Sequence, residues 1–562
     1  MKVVIVGGVA AGASAAARIR RLDEKAQIII FERSGFISYA NCGLPYYVGG
    51  TITDRDELTL QTPESFWERF RIDARVRHEV TEINAAEKNV TVRRLDTGKT
   101  YRESYDKLLL ATGAKPARAG IPGAGEDRVF TLRTVEDAFG IREFAENAKP
   151  RTAAVIGGGF IGLEMAENLA GLGVRVTIVE YSDHLLAPFD KDMAAQLHTL
   201  FKSRGVGLML GEAVTGFEQK DGGIAVKTSG GAEIECDMAV LAAGVVPDTS
   251  LAAGAGIKTG LKGGIIVNER METSVPDIYA AGDAVVVKNF VTGEDALIPL
   301  AGPANRQGRT AADNICGGNS VYKGSLGSSV IKLFDMTAAA TGINETAAKA
   351  AGIDYDRVVL SPSSHASYYP GGQVMTLKVI FEKGTERLLG AQITGRDGVD
   401  KRIDVIAAAI RAGLKATELG GLELAYAPPY SSAKDPVNLA GFMIENLVTG
   451  KVKQFHYDEI DALCKENAFL LDARTEGEYS RGHADGFINI PLDDLRERME
   501  EIPRDKPVYV MCQSGLRSYI ACRILAQNGY DCYNFSGGYR FYNMINSGKA
   551  QSESAYPCGI EK

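Results

Sequence analysis

The sequence predicts an α/β protein of several domains, and three observations predict it. A strand, a glycine turn, a helix and a second strand follow one another over residues 1–33 and recur over residues 153–180. Residues 325–445 mix strand-like and helical patterns without a turn of that kind. A last stretch, residues 457–547, returns to strands and helices and places Cys512 between the two. Strands alternating with helices imply parallel sheets covered on their faces.

The chain has 562 residues, enough for three or four domains. Its hydrophobic content of 45% and charged content of 24% are ordinary for a globular protein. Net charge is −8, so nothing favours nucleic acid or an anionic membrane surface as a partner. No apolar run is long enough to span a membrane. The first strand begins at Lys2, so no leader is expected and the expected compartment is the cytoplasm. The eight cysteines include no CxxC and are too sparse for a disulfide scaffold. The six histidines include no pair at helical metal-ligand spacing, so no metal site is expected.

In chain order, residues 2–6 read as a strand, 10–22 as an alanine-rich helix and 27–31 as a strand ending at Glu32. Residues 106–113 read as a buried strand running into a tight turn. The repeat has a strand at 153–156, a turn at 157–162, a helix at 163–172 and a strand at 175–179 ending at Glu180. Residues 238–244 form a second strand and turn, and residues 449–454 read as a polar linker. The expected domains are then 1–112 with 243–324, a second nucleotide-binding unit at 113–242, an α+β unit at 325–445, a linker at 446–456, a C-terminal α/β unit at 457–547 and a polar tail at 548–562.

The two glycine turns carry the first chemistry. Gly157, Gly159 and Gly162 form a complete GxGxxG. The first glycine permits the turn, the second lets backbone approach a pyrophosphate, and the third lets the helix pack on the strand. Glu180, 18 residues past Gly162, suits a ribose hydroxyl pair and would repel a 2′-phosphate, which favours NADH over NADPH. The first turn keeps Gly7 and Gly12 but has Val9 at the middle position, with Gly8 just before it. Glu32 lies 20 residues past Gly12. Two Rossmann-like nucleotide-binding domains are therefore expected.

The order of glycine turn, Ala111-Thr112-Gly113, second glycine turn and Ala281-Gly282-Asp283-Ala284 resembles the two-dinucleotide-binding-domain flavoprotein reductases. The resemblance spans residues 1–445. It implies that the first turn holds FAD, the second holds NAD(P)H, and residues after 325 form a dimerisation domain of a homodimer. The flavin positions it implies are Gly7, Gly8, Val9, Ala10, Ala11, Gly12, Glu32, Arg33, Asn41, Val80, Ala111, Thr112, Gly113, Gly282, Asp283 and Ala301. The nicotinamide positions are Gly157, Gly159, Phe160, Ile161, Gly162, Glu180, Tyr181 and Gly244.

Glutathione reductase and similar relatives carry a CxxxxC dithiol, whereas this chain has the single Cys42 in Ser38-Tyr39-Ala40-Asn41-Cys42-Gly43-Leu44-Pro45. One thiol forms a mixed disulfide, a persulfide or a sulfenic acid rather than an internal disulfide. The segment resembles the active-site segment of coenzyme A-disulfide reductases and their persulfide-reducing relatives. That resemblance implies coenzyme A recognition by Ser14, Arg18, Arg21, Ser38, Asn41, Asn305, Arg306 and Lys434, with Asn305 standing where the family often has histidine. A solvated helix face is the other reading of Arg18 and Arg21. Tyr368 and Tyr426, 58 residues apart, match the pair that the family reaches in from the partner subunit toward the cysteine. Packing at a dimer interface is the alternative, and Tyr369 and Tyr430 are their close neighbours.

In the C-terminal unit, Asp472, Arg474, Glu478, Gly482, His483 and Asn489 follow the rhodanese pattern, and residues 512–518 read CQSGLRS after a strand at 508–511. Backbone N–H groups around Cys512 would favour a thiolate and then a persulfide, and Arg517 adds positive charge. A phosphatase loop would place its arginine six positions after the cysteine, not five. Cys522 and Cys532 are expected in the core, and Cys558 lies on the tail.

The whole chain resembles the fused coenzyme A-disulfide reductase–rhodanese proteins, also described as NADH-dependent persulfide reductases. The resemblance implies reduction of coenzyme A persulfide or polysulfide with release of sulfide. Coenzyme A-disulfide reduction, an NADH oxidase or peroxidase activity, and a redox-dependent interaction protein are the rival readings.

Overall fold

The computed structural model describes residues 1–118 and 120–553, so Cys558 and residues 554–562 of the expected tail lie outside the described residues. The chain divides into two compact units. One comprises residues 1–183 and 205–327, the other residues 184–204 and 328–562.

The first unit is built on two parallel five-stranded sheets. One has the order Ile278–Ala280, Lys107–Leu110, Lys2–Val6, Gln27–Glu32, Ile72–Val76, and the other Gly207–Leu210, Arg175–Glu180, Thr152–Ile156, Met238–Leu241, Val129–Phe130. Val3 pairs with Ile28 and Lys107, and Ala153 with Val176 and Met238, so the two central strands hold equivalent places. Val3, Val4 and Ile5 are fully buried, as are Leu108, Leu109 and Leu110. Central parallel strands are covered on both faces, which is why they are apolar without alternation. Each sheet is accompanied by a three-stranded antiparallel meander, at residues 78–104 and 214–236.

The second helix starts earlier than its sequence suggests. It runs Phe160–Gly171, so Gly162 lies inside its first turn. The reason is packing rather than turning, because a Cβ at Gly162 would sit 1.9 Å from the carbonyl oxygen of Gly157. The helix Ala10–Leu22 stands on its strand in the same way, a Cβ at Gly12 falling 1.9 Å from the oxygen of Gly7.

The second unit holds an antiparallel sheet of order Ser329–Leu333, Met336–Gly342, Leu388–Gly395, Thr376–Glu382, Tyr355–Leu360, with helices Val399–Ala412 and Pro436–Val448. A parallel sheet follows, ordered Lys453–Phe455, Cys532–Phe535, Val508–Met511, Phe469–Asp472, Phe487–Asn489. The helix Lys191–Ser203, inside the span expected for the second nucleotide-binding unit, belongs to this unit. Its attachment is ionic as well as apolar. The Lys378 ammonium, with 0% of its side chain exposed, lies 2.9 Å from Asp190, 2.8 Å from Asp192 and in contact with Glu345. Burial alone would raise the Glu345 carboxyl, but Lys378 and Arg357 outweigh it and hold it at about 2.

The expected linker at 446–456 is not free chain. The helix Pro436–Val448 occupies its start, and the strand Lys453–Phe455 its end, leaving residues 449–452 between them. Gln454 donates to Asp356 at 3.0 Å and to the Arg357 carbonyl at 2.7 Å. Arg357 in turn pairs with Asp458 at 2.7 Å, and the Val359 N–H donates to Ser536 Oγ at 2.9 Å. The two sheets of the second unit are thus docked by polar contacts that the residue types alone did not announce.

Removing one partner of a buried ion cluster leaves uncompensated charge. Lys378→Met should therefore destabilise the protein by about 3–5 kcal/mol. A lower urea midpoint at unchanged m-value would register it.

Candidate active site

Cys42 is the middle residue of the short 3-10 turn Asn41–Gly43, which runs directly into the helix Leu44–Val48 with Pro45 in its first turn. Pro45 is tolerated there because its missing N–H would have had no helical partner. Ser38, four residues earlier, takes φ 47° and donates its N–H to the Gly8 carbonyl at 2.8 Å. That bond ties the cysteine segment to the first glycine turn. Cys42 is free and exposed. The protein atoms crowded around its sulfur raise the thiol above its ordinary range, the Glu164 carboxylate adds to this, and Arg133 opposes it.

Arg133 and Glu164 are the residues that sequence reasoning missed. Arg133 donates Nη2 to Asp283 Oδ2 at 2.9 Å and Nε to the Ala114 carbonyl at 3.1 Å. Oriented to satisfy both neighbours, the Asn41 amide bonds the Arg133 carbonyl at 3.0 Å and its Nη1 at 3.2 Å. Arg133 thereby joins the Cys42 segment to Asp283, which lies 150 residues beyond Arg133 in the chain. Glu164 lies one helical turn past Phe160 and accepts from the Tyr46 hydroxyl at 3.2 Å. Burial pushes its carboxyl to about 7, with the Tyr46 bond pulling the other way. Neither residue belongs to a motif, so only the three-dimensional arrangement reveals them.

The two glycine turns repeat one hydrogen-bond scheme. Glu32 accepts from the N–H groups of Gly8 and Ser34, both at 2.9 Å, and Glu180 from those of Gly158 at 2.5 Å and Ser182 at 2.7 Å. Burial raises the Glu32 carboxyl despite these bonds. Neither following helix has a side-chain cap, its N-cap being Val9 in one case and Gly159 in the other. Their first N–H groups are thus left for a ligand, the arrangement that holds a pyrophosphate. Open space surrounds a Cβ built at Gly159. Ala10, Ala11, Phe160 and Ile161 lie in these first turns, and Tyr181 stands exposed past Glu180.

The remaining expected flavin and nicotinamide positions gather at the strand ends. Ala111 donates its N–H to the Val6 carbonyl at 2.8 Å, and Thr112 Oγ1 donates to the Asp248 carbonyl at 2.6 Å. Gly113, Gly244 and Gly282 take φ of 68°, 101° and 88°. Arg33 pairs with Asp248 at 2.9 Å, Val80 is buried, and Ala301 opens the helix Ala301–Ile315.

Of the expected coenzyme A residues of the first unit, Ser38 and Asn41 lie in the cysteine segment, and Ser14, Arg18, Arg21, Asn305 and Arg306 lie on two adjacent helices. Ser14 donates to Asn305, and Arg18 pairs with Asp313 at 2.7 Å, so Arg18 is not a bare solvated cation. Arg21 and Arg306 are exposed. In the second unit Lys434 is exposed, and Tyr368 and Tyr426, 73% and 46% exposed, share a hydroxyl–hydroxyl hydrogen bond of 2.6 Å. That bond raises the Tyr426 phenol above its ordinary range. Tyr369 and Tyr430 are exposed as well, outside this bond.

Cys512 follows the strand Val508–Met511 and precedes the helix Leu516–Gln527, with only 1% of its surface exposed. Its sulfur accepts from the Gly515 N–H and the Ser518 hydroxyl, both at 3.2 Å. Gly515, at φ 97°, supplies the left-handed turn that aims its N–H inward. Arg517 is held by two bonds of 2.7 Å to Glu478, whose carboxyl this pairing lowers to about 2. Its charge is therefore shared with a carboxylate rather than given wholly to the loop. Arg474 is buried against Asp472 at 2.7 Å and lies 3.9 Å over the Tyr539 ring, while Asn489 bonds the carbonyls of both Asp472 and Arg474. His483 stacks on Tyr479 at 3.9 Å. Cys532 donates to the Cys522 carbonyl at 3.2 Å within the core behind the loop.

Three expectations follow from these contacts. Glu164→Gln removes a negative charge that disfavours the Cys42 thiolate, so alkylation of Cys42 by iodoacetamide should set in at lower pH. The same variant should lose the decline in urea midpoint between pH 4.5 and about 7 that a raised carboxyl imposes, because the folded state there holds the extra proton. Ser518→Ala deletes one of two donors to Cys512 and should slow thiosulfate-to-cyanide sulfur transfer by about tenfold or more. NADH oxidation by the first unit is the control in that assay.

The pyridine nucleotide-disulphide oxidoreductase family matches residues 1–308, its dimerisation domain residues 328–436, and the rhodanese-like domain residues 456–544. A coenzyme A disulfide reductase of Staphylococcus epidermidis is 37% identical over 442 residues, 78% of this chain and 99% of the relative. The crystal structure of reduced Bacillus anthracis CoADR-RHD superposes with a TM-score of 0.95 at 49% identity, covering 97% of this chain and 98% of that one. A NAD-dependent persulfide reductase from A. fulgidus gives 0.91 at 39% identity, covering 96% and 100%. The chain belongs to the pyridine nucleotide-disulphide oxidoreductase family and carries a rhodanese-like domain at its C-terminal end.

Proposed function

We propose that the protein is an FAD-dependent reductase that uses NADH to reduce persulfides and polysulfides, coenzyme A persulfide foremost, through Cys42. Sulfide is released, and the C-terminal domain transfers sulfane sulfur through Cys512. One pairing carries this reading: an exposed Cys42 with no second cysteine in its segment and, in the same chain, a buried Cys512 whose sulfur receives two hydrogen bonds. A solitary thiol suits a mixed-disulfide intermediate, and the donors at Cys512 suit a persulfide anion.

The uncapped N-termini of the helices at Ala10 and Phe160 fit the pyrophosphates of FAD and NADH, with Glu32 and Glu180 placed at the adjoining strand ends. Bound flavin would supply the two-electron link between the nicotinamide and the thiol. Cys42 as thiolate attacks the coenzyme A sulfur of the persulfide, the S–S bond breaks, and hydrosulfide leaves. The mixed disulfide then accepts two electrons and one proton, which regenerates the Cys42 thiolate and frees coenzyme A. Arg133 favours the Cys42 thiolate, and the partner subunit's Tyr368 and Tyr426 supply a proton to the leaving sulfur. Ser14, Arg18, Arg21, Asn305, Arg306 and Lys434 hold the coenzyme A portion. The match to a dimerisation domain supports a homodimer as the assembly. Among the described residues no helix is long and apolar enough to cross a membrane. The seven described cysteines are all free, which suits a reducing cytoplasm.

Coenzyme A disulfide is the alternative substrate, since the same Cys42 attack would release coenzyme A instead of sulfide. Anaerobic NADH oxidation with coenzyme A persulfide and coenzyme A disulfide in parallel separates the two. Faster turnover with the persulfide, with stoichiometric sulfide, supports the proposal, and faster turnover with the disulfide overturns it. Cys42→Ser should retain FAD and lose persulfide turnover by about three orders of magnitude or more.

A further inference from the structure

We propose that Arg402 is the positioning residue that sets the Tyr368–Tyr426 pair, an inference that rests on the role given above to those two tyrosines. In the single chain the two phenols are 73% and 46% exposed, and their hydroxyls meet at 2.6 Å. Something beneath them must fix the two loops that carry them.

The buried guanidinium of Arg402 does so. Arg402 lies on the helix Val399–Ala412 and is 1% exposed. Its Nη2 donates to the Ser364 carbonyl at 2.8 Å, four residues before Tyr368. The same nitrogen donates to the Tyr430 carbonyl and to Ser431 Oγ, both at 3.2 Å, just past Tyr426. It also reaches Asp435 Oδ2 at 3.0 Å, and Nε reaches the same oxygen at 3.2 Å. One side chain therefore holds both loops at once. The Ser431 hydroxyl completes the clamp by donating to Asp435 at 2.7 Å, and the Ala366 N–H donates to the Ser431 carbonyl at 3.0 Å.

The surroundings are shaped to admit this fork. A Cβ at Gly398 would fall 1.9 Å from Arg402 Nη1, and Gly398 takes φ 68° to begin the helix there. Asp435 also accepts from the Val437 N–H at 3.0 Å, capping the helix that follows Lys434. A lysine has the charge but not the planar set of donors, so it satisfies Asp435 and leaves the Ser364 and Tyr430 carbonyls unbound. The clamp is buried and the tyrosines are not, so Arg402 acts through them rather than on substrate.

The test is a double-mutant cycle in the full-length, FAD-loaded protein with coenzyme A persulfide. Arg402→Lys should lower kcat about tenfold while KM stays within about twofold, and Tyr368→Phe with Tyr426→Phe should lower kcat at least as much. Combined, the three substitutions should cost no more than the tyrosine pair alone. Full activity in Arg402→Lys with a defective tyrosine variant overturns the inference and leaves the tyrosine reading standing. Full activity in the tyrosine variant overturns that reading itself. A loss from Arg402→Lys that persists undiminished without the tyrosine hydroxyls marks a merely structural residue and also overturns the inference. Sulfur transfer at Cys512 reports folding of the unit. If Arg402→Lys fails that control, Ser431→Ala takes its place, with a smaller kcat loss and the same dependence on the tyrosines, and its full activity counts against the inference.

Discussion

The contact between a helix and the carbonyl oxygen of its own glycine turn governs this molecule. At both nucleotide-binding sheets the third glycine brings the helix so near that any Cβ would overlap the oxygen of the first, by the same 1.9 Å approach. Each helix begins just past the central strand of its sheet, with no side-chain cap on its first N–H groups. The cysteine segment is tied to the first of these turns. Ser38 bonds back to Gly8, Cys42 follows Ser38, and Arg133 fastens Asn41 to Asp283. Because the duplicated unit obeys the same constraint, Glu32 and Glu180 end in the same hydrogen-bonded role.

Charge is used differently in the two units. Around Cys42 it tunes a thiol, with Arg133 and Glu164 opposing one another at an exposed sulfur. In the second unit it builds. Lys378 and Arg402 are both buried, and each gathers elements remote in sequence. Buried ion pairs contribute little net stability against well-packed apolar residues, but a missing partner is costly, so they specify an arrangement more than they strengthen it. That division matches a molecule whose second unit must present loops accurately and whose first must pass electrons.

The sequence disclosed what local chemistry dictates. The glycine turns, the lone cysteine and the loop around Cys512 are contiguous, and their residue types are demanded by backbone geometry within a few positions. Residues acting across the chain were hidden. Arg133 finds Asp283 over 150 positions and Lys378 finds Asp192 over 186, with no spacing to betray either. Gly162 was read as the packing glycine it is, but the turn was extended to it and the helix begun three residues late, because glycine gives no helical signal. Residues 449–454 looked like a polar linker because the strand at 453–455 is too short to show alternation, and its lysine and glutamine give no apolar signal. The tyrosine pair was singled out by the family resemblance, whereas the guanidinium beneath it sits in a helix where arginine is unremarkable.

The four residues that connect the helix ending at Val448 to the strand beginning at Lys453 set a limit on traffic. A tether that short, between bodies already joined at Asp356, Arg357 and Val359, creates no adjustable effective concentration of Cys512 anywhere else. In the proposed sulfur transfer, Cys512 then stays where this docking holds it within its own unit, and its sulfur leaves on a diffusible thiol. The yield of any internal delivery would then depend on how well that carrier is retained between two stations, as in a relay, and lengthening the connection would offer no compensation while the docking contacts hold.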